Sequence, residues 1–131
     1  MKAVKGKEIM LVADNKVGQL EAITSPLKEA GINIRAVSAW AVEDKAYFRF
    51  ITSDNSKAKD ILQNIGSIEE KEVIIADMPD EVGQLQSFAS KLKDADIDIT
   101  YIYGTTSEPG GSAIIVFSSS DNDKVLELIS G

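Results

Sequence analysis

Lys7-Glu8-Ile9-Met10-Leu11-Val12-Ala13-Asp14 returns in the same chain as Lys71-Glu72-Val73-Ile74-Ile75-Ala76-Asp77. Val17-Gly18-Gln19-Leu20 returns as Val82-Gly83-Gln84-Leu85, and Ser53-Asp54-Asn55 as Ser120-Asp121-Asn122. The spacing is close to half of the 131 residues, so one unit is used twice. Residues 1–66 read as the first repeat and 67–131 as the second. A half of about 65 residues is marginal as an independent folder, so the copies are expected to share structure.

Each repeat opens on a short apolar run with apolar residues on both faces, the pattern of a strand buried on both sides. Asp14 to Gly18 is a turn, two residues shorter than its counterpart in the second copy. Leu20, Ile23, Leu27 and Ala30 then fall at helical spacing, and Gly31 closes the helix in a left-handed cap. Pro26 inside that helix removes a hydrogen bond and predicts a kink; Lys91 replaces it in the second copy. Ile32 to Val42 and Ala46 to Thr52 read as a hairpin, with Phe48 and Phe50 on one face. Ala58, Ile61, Leu62 and Ile65 form a second helix. The other copy follows suit, with Leu85, Phe88, Leu92 and Ala95 as its first helix. Ile97 to Gly104 and Ala113 to Ser119 pair across the loop Ser107 to Gly111, and Asp121 to Ile129 is the last helix.

Strand-helix-strand-strand-helix, twice, is an α+β pattern. It points to two ferredoxin-like βαββαβ repeats, each an antiparallel sheet in order 4-1-3-2 with its helices on one face. Ser67 to Lys71 can supply the fourth strand of the first copy, but the second copy ends before its own. Long first strands would resolve this. Each would serve as strand 1 of its own repeat and strand 4 of the other, giving one continuous sheet, with the N-terminal strand completing the second repeat. The reverse face would then carry Tyr47, Ile51, Ile114 and Val116, a patch expected to need cover from a homodimer.

Composition narrows the function. A net charge of -7 argues against nucleic acid or an anionic membrane surface as partner. No apolar run is long enough to span a bilayer, no signal-peptide pattern opens the chain, and the expected location is the cytoplasm. Cysteine and histidine are both absent, which removes the usual zinc and haem ligands and the commonest general base. No metal and no cofactor is therefore expected.

The strand-to-helix turns are the chemically suggestive places. Glycine lets backbone approach a ligand, and the first amides of a helix have no internal partner, so a carboxylate fits there. These are the amides around Val17, Gly18 and Gln19, and around Val82, Gly83 and Gln84. Asp14 in one turn, and Asp77, Asp80 and Glu81 in the other, could hold an ammonium group. Trp40, Tyr101 and Tyr103 lie on the second strands, where core packing is the commoner role.

The turn-Gly-x-Leu start, the helix, and Ala30-Gly31-Ile32-Asn33-Ile34 entering a strand resemble the ACT domain. The second copy matches through Val82-Gly83-Gln84-Leu85 and Ala95-Asp96-Ile97-Asp98-Ile99-Thr100-Tyr101. The chain as a whole looks like a small stand-alone tandem ACT protein. That resemblance implies a non-catalytic regulatory module that binds an amino acid where two such domains meet. Carried over, the site is Asn15, Lys16, Val17, Gly18, Gln19 and Leu20 with Asn33 and Ile34. In the second copy it is Pro79, Asp80, Glu81, Val82, Gly83, Gln84 and Leu85 with Asp98 and Ile99. The copies depart from the family in having Val before the glycine. The second also has Asp96 where glycine is usual, and Asp98 in place of Asn33. Two other readings are a protein-docking module without a small ligand, and a small enzyme using the carboxylates of Asp77 and Asp80.

Overall fold

The computed structural model describes residues 1–106 and 108–130, so the Ser107 end of the expected loop lies outside the described residues. The elements are β1 (Lys2–Asp14), α1 (Gln19–Glu29), β2 (Ile34–Val42), β3 (Lys45–Thr52) and α2 (Asn55–Leu62). They recur as β4 (Ser67–Pro79), α3 (Gln84–Asp94), β5 (Ile99–Thr106), β6 (Ser112–Ser119) and α4 (Asn122–Ser130). Strands hydrogen-bond in the order β2-β3-β1-β4-β6-β5. The long β1 and β4 are neighbours, as the shared-strand reading requires.

The chain divides into two compact units, Lys7–Lys71 and Met1–Gly6 with Glu72–Gly131. In the first, β2-β3-β1 is completed by the Ser67–Lys71 half of β4, the 4-1-3-2 order of the ferredoxin-like fold. Gly66 leads into that half-strand, where a Cβ would stand 2.1 Å from the Val12 carbonyl oxygen. Ile9, Leu11, Phe48 and Phe50 from the sheet bury against Ile23 and Leu27 of α1 and Ala58 and Leu62 of α2. Both helices therefore cover one face of this unit's sheet.

In the second unit, β6 and β5 extend from β4, and the N-terminal half of β1 lies on its other side. Ile74, Ala76, Met78, Ile115 and Phe117 pack on Phe88 and Leu92 of α3 and Val125 of α4, with Ala3 of β1 against the same core. Lys5 ties β1 to α4 through an ion pair with Asp123, with Glu72 nearby at 3.9 Å.

Duplication extends to the small hydrogen-bond networks. Asp54 caps α2 by accepting from the Lys57 amide at 3.1 Å, and Asp121 accepts from the Lys124 amide at the same distance. The Asn55 Oδ1 accepts from the Thr52 hydroxyl at 2.7 Å, as the Asn122 Oδ1 does from Ser119. Both first helices end in the same closure. Ile32 N–H donates to the Leu27 carbonyl and Ile97 N–H to that of Leu92, each at 2.9 Å. The left-handed residue is Gly31 (φ 73) in one and Asp96 (φ 58) in the other. Helix α1 runs unbroken through Pro26.

One expectation is corrected. The four residues assigned to a bare reverse face are not equally exposed. Ile51 and Val116 are buried at 7% and 1%, Tyr47 is half-buried, and Ile114 is 44% exposed. In the Lys7–Lys71 unit that face carries a buried ion pair, with Arg49 Nη1 3.2 Å from Glu8 Oε1. Trp40 stacks on Tyr47 beside it, and the Arg49 guanidinium lies 5.8 Å from the Trp40 ring centre.

Candidate functional site

Both turns place a glycine at the start of the following helix in the left-handed region, Gly18 and Gly83 at φ 87. A Cβ at either would meet nothing within 4 Å, so glycine is there for its backbone angle and not for lack of space. No side chain caps either helix. The first-turn amides are thus left without a side-chain acceptor, and the positive end of the helix faces the turn.

Beside the second turn lies a cavity of about 410 Å³. Met78, Pro79, Asp80 and Glu81 form one wall, Gln84 and Leu85 of α3 the second, and Ile102 to Thr106 of β5 the third, over a floor of Ala113 and Ile115. The first turn has a counterpart of about 330 Å³, lined by Asn15, Lys16, Gly18, Gln19 and Leu20 against Ala39 to Ala41, Ala46 and Phe48. Each cavity lies within one compact unit. Matching registers put Ala39 opposite Phe48 and Gly104 opposite Ile115, so Gly104 occupies the place of Ala39. A Cβ at Gly104 would come within 2.6 Å of Ile115 Cδ1.

The second turn is not two residues longer as expected, because β4 runs on through Met78 and Pro79 and leaves four turn residues in each copy, but the two turns are held differently. In the first, Gln19 is 6% exposed, and its Nε2 donates to the Asp14 carbonyl at 2.8 Å. Asn15 Nδ2 donates to the Glu43 carbonyl at 3.0 Å, and Asp14 pairs with Lys45 at 3.2 Å. In the second, Asp80 N–H donates to the Gly111 carbonyl at 2.8 Å and Glu81 N–H to that of Pro79 at 3.0 Å, bonds made by backbone alone. The side chains of Asp80, Glu81 and Gln84 make no hydrogen bond to any described residue, and all three line the cavity.

The expected site residues sort unevenly. Asn15, Lys16, Gly18, Gln19 and Leu20 line one cavity, and Pro79, Asp80, Glu81, Gln84 and Leu85 the other. Val17 and Val82 point away into solvent at 104% and 105% exposure. Gly83 sets the turn without lining the cavity. Asn33 and Ile34 line a separate cavity of about 450 Å³ with Thr24, Lys28 and Gly31. Asp98 and Ile99 lie outside the second-turn cavity. The Asn33 and Asp98 amides are occupied, donating to the Ser53 and Ser120 hydroxyls at 2.9 and 3.0 Å. Asp77 and Asp80 line different cavities, so the paired-carboxylate arrangement is not formed. Sequence reasoning missed the far wall. Gly104 and Ile102 become visible only when the two hairpins are aligned residue by residue.

A duplicated strand-turn-helix with glycine at each helix start, in tandem ferredoxin-like units, matches known proteins over almost its full length. A sequence profile of the ACT domain pair covers residues 4–130. The solved structure of protein BT0572 from Bacteroides thetaiotaomicron is 26% identical with a TM-score of 0.89, over 98% of this chain and 88% of that one. The ligand-free regulatory subunit of aspartate kinase from Thermus thermophilus is 12% identical with a TM-score of 0.72, over 98% and 94%. The structure of aspartokinase alpha and beta subunits is 16% identical with a TM-score of 0.66, over 98% and 95%. A search of curated proteins finds no significant match. With its repeats, strand order and turn geometry matched from end to end, the chain belongs to the ACT family as an ACT domain pair.

Proposed function

We propose that this chain is a non-catalytic regulatory module that binds an amino acid or similar small metabolite in a cavity beside a strand-to-helix turn. It would work as a cytoplasmic homodimer. The observation that carries this reading is the helix start without a side-chain cap, set by a left-handed glycine, beside a cavity that mixes acceptor side chains with an apolar floor. Amides receive a carboxylate, acidic side chains receive an ammonium group, and the floor receives the rest. The likeness to regulatory subunits of aspartate kinase supports a regulatory role. Regulation follows by linkage: a ligand that prefers one arrangement of the protein shifts the population toward it by its differential affinity.

A thermal-shift screen against the twenty amino acids tests this. A ligand at about 100 times its Kd adds about 2.7 kcal/mol, a rise in Tm of roughly 10 °C for a chain of this size. No shift with any amino acid at millimolar concentration contradicts the reading. The second reading, a protein-docking module, is favoured by one observation. Val17 and Val82 are fully exposed, and Leu20 and Leu85 are each 54% exposed, at matching places in the two copies. It predicts that Val17→Ser and Val82→Ser lose a protein partner and leave the fold intact.

A further inference from the structure

We infer that the two copies have diverged in role, so that the second-turn cavity alone takes ligand, one per chain, and selects an amino acid with an uncharged apolar side chain. This rests on the reading above and specifies its site and ligand class. Gln19 and Gln84 are the same residue at the same point of the repeat, but they do different work. Gln19 is buried and its amide is spent on the Asp14 carbonyl at 2.8 Å, which staples the first turn to the end of β1. Gln84 follows a turn of the same four-residue length, is half-buried, and makes no hydrogen bond to any described residue while lining the cavity. A half-buried amide with no internal partner is poorly satisfied unless water or a ligand meets it.

The walls differ in the same direction. Gly104 stands where the first copy has Ala39, and the cavity it lines is the larger, about 410 against 330 Å³. In the first copy the neighbouring polar groups are occupied as well: Asn15 by the Glu43 carbonyl and Asp14 by Lys45. The ligand class follows from the lining. Asp80 and Glu81 offer acceptors to an ammonium group, and neither Lys nor Arg lines this cavity. A side-chain carboxylate on the ligand would therefore enter beside like charge without a counterion. Met78, Ile102 and Ile115 leave an apolar surface below, where a side-chain ammonium would also lose hydration without a partner.

Isothermal titration of the full chain with leucine, isoleucine, phenylalanine and methionine, and with glutamate and lysine, decides this. The expected result is one site per chain for an apolar amino acid, with glutamate and lysine at least about tenfold weaker. Gln84→Ala weakens binding at least about tenfold and leaves Tm unchanged, because the fold does not use that side chain. Gln19→Ala leaves Kd unchanged and lowers Tm by about 3 °C, because it removes a buried hydrogen bond. Gly104→Ala, which adds bulk to the far wall against Ile115, repeats the loss of binding independently of Gln84. Two sites per chain, or Gln19→Ala weakening binding as much as Gln84→Ala, overturns the inference. If only charged amino acids bind, the selectivity falls and the proposed function stands. If no amino acid binds at all, both fall.

Discussion

Two positions show how single residues carry this fold. Gly18 and Gly83 hold φ 87 with open space around the missing Cβ. Substitution therefore costs backbone strain rather than collision. Gly18→Ala should lower stability by about 1 kcal/mol, and Gly18→Asn by less, because Asn tolerates the left-handed region. Urea midpoints of the two variants check the order; equal costs would mean that the angle is not the constraint. Asp96 is the converse case. It holds φ 58 in the helix closure that Gly31 makes at φ 73, so Asp96→Gly should raise stability by about 0.5–1 kcal/mol. The Gly31 cap was legible in the sequence, since glycine after a helical stripe has few other uses. The different roles of Gln19 and Gln84 were not. Identical letters gave no warning, and the turns are equally long, four residues each; what differs is that the Pro79 carbonyl, at the place of Asp14, already accepts from the Glu81 amide.

Elements show a different limit. Both hairpins and all four helices follow from periodicity, because one face of each had to be buried. The expected ends were off by a residue or two; the second strands begin at Ile34 and Ile99 rather than at Ile32 and Ile97. Those two isoleucines instead close the preceding helix by donating to Leu27 and Leu92. Between the β1 and β4 backbones there is no room at Gly66, where a Cβ would stand 2.1 Å from the Val12 carbonyl oxygen. Gly66→Ala should cost about 3 kcal/mol, since backbone cannot yield as a side-chain tip can. A loss below about 0.5 kcal/mol would contradict that packing.

The Glu8–Arg49 pair on the reverse face leaves Glu8 1% exposed, so Arg49→Met should cost about 3 kcal/mol by removing the cation paired with a buried carboxylate. Replacing both partners by apolar residues of similar size should recover most of that. At the N-terminal end of β1, the hydrogen bond to Asp123 raises the Lys5 pKa above its ordinary value of 10.5, aided by the charges of Asp123 and Glu72. A raised lysine pKa stabilises the fold below the unfolded value, and the contribution disappears as pH rises through the folded one. The stability difference between wild type and Lys5→Met should therefore fade above about pH 10.5, as paired urea titrations across pH 8 to 11 would show. A difference that grew with pH would have the wrong sign.

At the scale of the molecule, duplication supplied the architecture. The repeat revealed tandem ferredoxin-like units and long neighbouring first strands because backbone pairing depends on pattern, which duplication preserves. The cavity was half legible. Its turn was marked by glycine and acids, whereas its far wall, Ile102 to Thr106, is an edge strand whose role emerges only once register places Gly104 over Ile115. The reverse face was misjudged because alternation says which way a side chain points and not whether it is covered; Val116 ended at 1% exposure.

The most direct measurement of the central claim is an amide NMR titration of the full chain with each apolar amino acid. Binding beside the second turn predicts saturable shifts at Asp80 to Leu85 and Ile102 to Thr106, with Asn15 to Leu20 unmoved. Shifts confined to other residues, or none with any amino acid at millimolar concentration, would contradict it.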